Sequence, residues 1–176
     1  MGNPDDGILN ILNVSVNELK KIKGIGRVKA IQIKCIGELS KRISSRSYSV
    51  GSTFTSAGAV ADFFMENMRH LKREKLMALM LDSACKLLKV YEVSTGTVNT
   101  SLASSREVFI EALKAEAVNI ILVHNHPSGN PTPSREDLRI TGVLHDAGEL
   151  IGINIIDHII IGDNKFVSFK EQGIIG

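Results

Sequence analysis

Two histidines two positions apart, His124 and His126, close an apolar run from Val118 to Val123. In extended backbone, residues i and i+2 face the same side, so both imidazoles can address one ion. Eleven residues past His126 stands Asp137, on what reads as the first turn of a helix opened by Ser134. Two imidazoles and one carboxylate make a three-ligand zinc site with a fourth position left for water, the arrangement of catalytic zinc. Structural zinc takes four closed ligands, usually with cysteine, and residues 118–137 hold no cysteine. These residue types point to a hydrolytic metal centre.

The residues between the ligands have mechanical tasks. Pro127, Pro131 and Pro133, with Ser128-Gly129-Asn130, favour a turn-rich loop that brings the helix start back to the strand end. Ser134 is a good N-cap, and a carboxylate at Asp137 suits the positive end of a helix. Ile140, Val143, Leu144 and Ala147 then fall on one stripe of that helix. His-x-His alone is a weak signal. A serine and an aspartate at fixed spacing beyond it make it a specific one.

Stepping outward, Thr55 or Ser56 can cap a helix reaching about Arg73, with Val60, Phe63, Phe64, Met68 and Leu71 on its apolar stripe. Strands are expected over Lys75–Leu81 and Leu87–Val93, followed by a further extended stretch after Thr95-Gly96-Thr97. Ser104-Ser105-Arg106-Glu107 reads as a capping box opening a helix to Glu116, which leads into the buried strand Asn119–Val123. After the second helix, Gly152 precedes a strand over Ile153–Ile161, and Gly162-Asp163-Asn164 makes a hairpin turn into Phe166–Phe169. Asp157-His158, inside that apolar strand, reads as a structurally satisfied pair outside the ligand set, with a hydrogen-bonding pair behind the metal ligands as the alternative. Helices interleaved with strands give an α/β class with a mixed sheet.

The 176 residues leave room for one ordinary domain and a small appendage. A hydrophobic content of 43 % with 23 % charged residues is that of a soluble globular protein. No apolar run reaches the roughly 18–20 residues that span a bilayer, and no signal-peptide core is present, so no membrane partner and a cytoplasmic location are expected. Cys35 and Cys85 fit no paired metal spacing and read as reduced, buried thiols. Oligomeric state is not encoded in any pattern here.

Charge is unevenly spread. Residues 1–50 hold nine Lys/Arg against four Asp/Glu, and the remainder holds twelve against fifteen. A basic appendage beside a mildly acidic body suits an anion-facing role for the appendage. Val16–Arg42 reads as two helices, the first over Glu18–Ile22 and the second over Arg27–Lys41, around Lys23-Gly24-Ile25-Gly26. This segment resembles a helix–hairpin–helix, which implies that Gly24 and Gly26 permit close backbone approach to a phosphate while Lys23, Arg27 and Lys29 add cationic contacts. Such DNA contact would be weak, non-specific and steeply salt-dependent. The expected division is a helical segment over 1–43, a serine-rich linker over 44–53 and a catalytic domain over 54–176.

His124-x-His126, seven residues, then Ser134-x-x-Asp137 resembles the JAMM motif of the MPN (JAB) metalloenzymes. The wording HNHPSGNPTPSREDL is similar to the RadC branch in particular, and the likeness runs from Phe54 to Gly176, including Arg106-Glu107-Val108 and Leu150–Gly162. The resemblance implies a three-layer MPN fold, one Zn2+ held by His124, His126 and Asp137, and a peptidase or isopeptidase activity on a protein or peptide substrate. It further implies a carboxylate that moves protons, at Glu74, with Glu107 a rival and Glu92 a weaker one. It assigns to Ser134 a hydroxyl that steadies the developing oxyanion. RadC-like proteins carry a DNA-repair name, so a DNA-associated accessory role through the hairpin, or a metal-dependent nuclease, stand as alternatives.

Overall fold

The computed structural model describes residues 14–44, 50–95 and 101–176. The chain divides into two compact units, Met1–Arg46 and Ser47–Gly176. Residues 45–49 of the expected linker and residues 96–100 of the expected extended stretch lie outside the described residues.

In the smaller unit, α1 (Val16–Leu19) is a single turn held by a capping box. The Glu18 N–H donates to Ser15 Oγ and the Ser15 N–H donates to the Glu18 carboxylate, at 3.2 and 2.8 Å. The helix is shorter than the expected one, and Lys20–Ile22 already belong to the turn. Gly24, at φ +89°, reverses the chain into α2 (Arg27–Ser44). Leu19 and Ala30 are buried, whereas Val28, Ile36 and Leu39 are exposed. Cys35 is exposed as well, and Cys85 in the other unit is half-buried; both thiols are free but neither is buried as expected.

The larger unit runs α3 (Ala57–Met68), β1 (Lys75–Leu81), β2 (Leu87–Thr95), α4 (Ser101–Lys114), β3 (Asn119–Asn125), α5 (Arg135–Ile151), β4 (Asn154–Ile161) and β5 (Phe166–Ser168). The described strands form one sheet in the order β2-β1-β3-β4-β5. Only β3 and β4 are parallel, joined by the crossover helix α5; the other pairs are antiparallel. The sheet buries both faces. Val60, Ala61, Phe64 and Met68 of α3 pack on Leu79, Leu81, Ile121, Val123, Ile159 and Ile161. On the opposite face, Val108, Phe109 and Ala112 of α4 and Ile140 and Leu144 of α5 pack on Ala78, Met80, Ile120, Leu122 and Ile155. The alternation of strand residues between two apolar clusters produces the expected three-layer α/β architecture with a mixed sheet.

Beyond shifts of one to three residues at other element ends, two helix boundaries depart from expectation. α3 ends at Met68, not near Arg73: the Leu71 N–H donates to the Met68 carbonyl in a tighter turn, and the chain then reverses into β1. α4 begins at Ser101, so Ser104 lies inside the helix and is not its N-cap; Leu102 and Ala103 are good helix formers that extend it a turn. Gly51 and Ser52, within the expected linker, and Phe54, just past it, bond through their backbone to Leu87 and Cys85. Among the described residues no helix is long and apolar enough to cross a membrane.

At the end of α5, Gly152 adopts φ +74° and the Ile153 N–H donates to the Gly148 carbonyl, so the chain folds back over the helix. A Cβ on Gly148 would stand 2.2 Å from the Ile153 carbonyl oxygen, whereas one on Gly142 meets nothing within 4 Å. Gly148→Ala should therefore destabilise the fold by about 1–3 kcal/mol, and Gly142→Ala on the same helix should leave it unchanged or stabilise it by up to about 1 kcal/mol. Urea denaturation of the two variants checks this, and equal stabilities would contradict the packing described.

Candidate metal centre

β3 carries the site because it is central: Leu76 of β1 lies opposite His124 on one side and Ile160 of β4 on the other. Past the strand, the His126 N–H donates to the Ile161 carbonyl at 3.0 Å, which extends the register by one residue. The following loop is tied down twice. The Gly129 N–H donates to the His126 carbonyl, and the Asp163 N–H donates to the Gly129 carbonyl, both at 2.9 Å. A Cβ on Gly162 would sit 2.4 Å from that same Gly129 oxygen, so only glycine lets the β4–β5 turn approach so closely.

The loop delivers the chain to α5, whose N-cap is Ser134. The Asp137 N–H donates to Ser134 Oγ at 3.2 Å and the Ser134 N–H donates to Asp137 Oδ2 at 2.6 Å. Asp137 is thus the N3 residue of a capping box, with its carboxylate fixed at the helix start. That carboxylate faces both histidines. His124 Nε2 lies 3.2 Å from Oδ1 and His126 Nε2 lies 3.3 Å from Oδ2. The two Nε2 atoms are 2.9 Å apart.

Burial pushes the Asp137 carboxyl up, but hydrogen bonds from His124 and His126, the charge of His124 and the Ser134 N–H outweigh it and hold the group well below the usual carboxylate range. The hydrogen bond to Asp137 raises the His126 imidazole against the opposing effect of burial; the Asn130 carbonyl and the charges of Asp137 and Glu74 add to the rise. One donor atom from each of His124, His126 and Asp137 falls within 4.8 Å of the other two. Two imidazole nitrogens directed at each other around an ionised carboxylate call for a cation between them, a proton or a metal ion. The donor set is one that could hold a metal ion.

Glu74 immediately precedes β1, is half-buried, and lines one cavity with Leu76, Ser94, His124, Asp137 and Ile140. Its placement has a cause that sequence reading missed. Asn125, the residue between the two histidines, is 0 % exposed. Its Oδ1 accepts from the Lys75 N–H at 2.9 Å and its Nδ2 donates to the Arg73 carbonyl at 3.2 Å, so one amide clamps the backbone on both sides of Glu74. The rival carboxylates are engaged elsewhere or remote. Glu92 pairs with Lys75 Nζ at 2.6 Å and accepts from Thr95, and the exposed Glu107 on α4 does not line this cavity. Ser134 is exposed, and since its Oγ accepts the capping bond, its hydroxyl proton is free to donate outward.

Asp157 and His158 do not pair through their side chains as the sequence suggested. Asp157 accepts from the His158 N–H, from Ser168 Oγ and from the Lys170 N–H. His158 lies on the other face, with its Nε2 2.8 Å from His124 Nδ1 and its Nδ1 2.6 Å from Thr141 Oγ1. Burial pushes its imidazole well below the ordinary value, helped by the neighbouring His124. In the smaller unit, Lys23 and Arg27 are exposed beside the glycine turn, while Lys29 Nζ donates to the Gly24 carbonyl at 3.3 Å and so braces the turn itself.

The architecture and the three converging donors define a mixed-sheet α/β protein with a metal-competent centre at the end of a central strand. The profile of the RadC-like JAB domain matches residues 54–174. A UPF0758 protein of Clostridium botulinum (strain Hall) is 47 % identical over 171 residues, covering 96 % of this chain and 74 % of the relative. A UPF0758 protein of Clostridium acetobutylicum is 44 % identical over 169 residues with the same coverage. The chain belongs to the RadC-like JAB domain family, a branch of a hydrolase-related superfamily. The names of these relatives state no activity.

If the cluster takes up zinc, His126→Ala and Asp137→Ala should each abolish its stoichiometric binding, because two protein ligands rarely hold the ion tightly. His145→Ala, on α5 but outside the donor cluster, should keep it. Metal analysis after dialysis, with circular dichroism to confirm folding, tests the assignment; stoichiometric zinc in His126→Ala would refute it.

Proposed function

We propose that the protein is a zinc-dependent hydrolase that cleaves a peptide or isopeptide bond. The observation that supports it best is a half-buried carboxylate, Glu74, lining the same cavity as His124 and Asp137 of the donor cluster. Zinc at such a centre lowers the pKa of water to roughly 7 and polarises a carbonyl. Within that setting Glu74 acts as the general base, taking a proton from the attacking water, and then as the general acid, handing it to the leaving nitrogen. Ser134 donates its hydroxyl proton to the carbonyl oxygen as charge develops there. Leu76 and Ile140 form the apolar wall that keeps bulk water from competing for these bonds. Asn125 keeps the Glu74 backbone in place and touches no substrate.

A second reading concerns the smaller unit, where Lys23 and Arg27 stand exposed around Gly24 and Gly26. We propose weak, sequence-independent DNA contact through this turn, with the N–H groups at the start of α2 facing a phosphate. Lys29 contributes less than the other two because its ammonium already holds the turn.

Three outcomes follow. Glu74→Gln should lower cleavage of a peptide or isopeptide library by roughly 10²–10⁴-fold while zinc stays bound; cleavage at the wild-type rate would remove Glu74 from the mechanism. Asn125→Ala should lower kcat with zinc content unchanged, since it frees the backbone that carries Glu74. DNA binding, if carried by the turn, should weaken steeply between 50 and 200 mM salt (about one power of salt concentration per phosphate neutralised) and be lost in Lys23→Ala/Arg27→Ala. Binding that persists in that double variant would assign it elsewhere.

A further inference from the structure

The hydroxyl of Thr141 has one proton and two polar neighbours, the Asp137 carbonyl oxygen and His158 Nδ1, each at 2.6 Å. A carbonyl oxygen can only accept, so the hydroxyl proton goes to it. His158 Nδ1 must then be the donor in the second bond. A neutral His158 consequently offers a lone pair at Nε2, 2.8 Å from His124 Nδ1, which must in turn carry a proton. In the neutral His124 ring, the Nε2 that faces Asp137 and His126 then carries the lone pair, open to a cation.

The opposite arrangement needs a charged His158 that donates from both nitrogens and forces the proton of His124 onto Nε2. Burial opposes this. His158 is 1 % exposed, its ring lies 4.7 Å from that of Phe169, and its two nitrogens are taken by Thr141 and His124 with no carboxylate bonded to either. An unpaired charge in such a place is strongly disfavoured. The neighbouring carboxylate of Asp157 is held on the far face by Ser168 and two backbone N–H groups.

We infer that Thr141 and His158 are positioning residues for the metal centre, holding His124 in the tautomer whose Nε2 can coordinate a cation. This rests on the metal-site reading given above. His126 reaches the same tautomer by a simpler route, its Nδ1 lying 2.8 Å from the Asn130 carbonyl, which can only accept. The chain Asp137 carbonyl–Thr141–His158–His124 also links two ligands that come from different elements, so the first turn of α5 and the end of β3 share one hydrogen-bonded frame. A bulge makes this frame geometrically accessible. Ile120 pairs with Ile155 but Ile121 pairs with Asp157, so Ile156 is an extra residue that shifts the alternation and brings His158 to the face of α5.

The test uses the full chain with Thr141→Val, which keeps the shape and loses the hydroxyl, and Thr141→Ser, which keeps the hydroxyl. Competition with a chromophoric chelator should show zinc affinity reduced by about 10–100-fold in Thr141→Val and His158→Gln and largely restored in Thr141→Ser. Long-range 1H–15N correlation spectra of the metal-free wild type should show His124 protonated on Nδ1, with the Nε2 form appearing in Thr141→Val. Wild-type affinity in Thr141→Val, equal losses in the valine and serine variants, or an Nε2-protonated His124 in the wild type would overturn the inference. A wild type that takes up no zinc would instead sink the metal reading, and the spectra would still decide the tautomer.

Discussion

The larger unit depends on one local constraint: Asp137 must be at the same time the third residue of a helix and the acceptor between two histidines from a neighbouring strand. Its 4 % exposure leaves no room for solvent to satisfy the charge. The Ser134 N–H does so for one oxygen, and a cation shared with the two ring nitrogens, a proton or a metal ion, is called for by the rest. An ionised carboxylate buried with imperfect partners is destabilising, so the elements around it are held within narrow limits. Gly162 and Gly129 let the β4–β5 turn press on the ligand loop, the parallel pairing of β3 and β4 sets where that turn falls, and α5 is the crossover that the parallel pairing requires.

Neighbouring residues on β3 act on opposite faces, and the site exploits this. His124 turns toward α5, with the cluster that includes Ile120 and Leu122. Asn125 turns the other way and holds Arg73 and Lys75. Two of the three donors and the clamp on the Glu74 backbone therefore come from a single tripeptide, so moving the strand would displace them together. The same alternation on β4 separates His158, which serves the site, from Asp157, which ties β4 to Ser168 and Lys170 beyond β5.

What could be read in the sequence was local. The i, i+2 spacing of His124 and His126, the capping signature Ser134-x-x-Asp137 and the apolar strands all depend on nearest-neighbour geometry, and the structure realises them. Glu74 came from resemblance alone, since its position is set by Asn125 from fifty residues away, a contact that no periodicity carries. For His158 the sequence offered a role behind the ligands only as the lesser alternative and only as a pair with Asp157, for a related reason. Strict alternation through Ile153–Ile161 assumes an unbroken ladder, and the extra residue at Ile156 reverses which side chains face α5. The misplaced start of α4 shows the converse: Ser104-x-x-Glu107 has the form of a cap, but the helix-forming residues before it win.

The polar seam from Thr141 to His126 raises the question of what holds the unit together. Small zinc modules fold because the ion supplies the energy that a minimal core cannot. Here the sheet separates two apolar clusters, one under α3 and one under α4 and α5, and each contains fully buried aliphatic side chains such as Leu79 and Ile159, or Met80 and Leu122. A unit of this size with two cores has no need of a metal staple. The ligands and their supporting hydrogen bonds are then a burden that the apolar layers offset, in the way that functional sites generally draw on stability supplied elsewhere. A cation at this centre occupies a frame that apolar packing has already built, which is the condition under which its coordination can be spent on chemistry and not on folding.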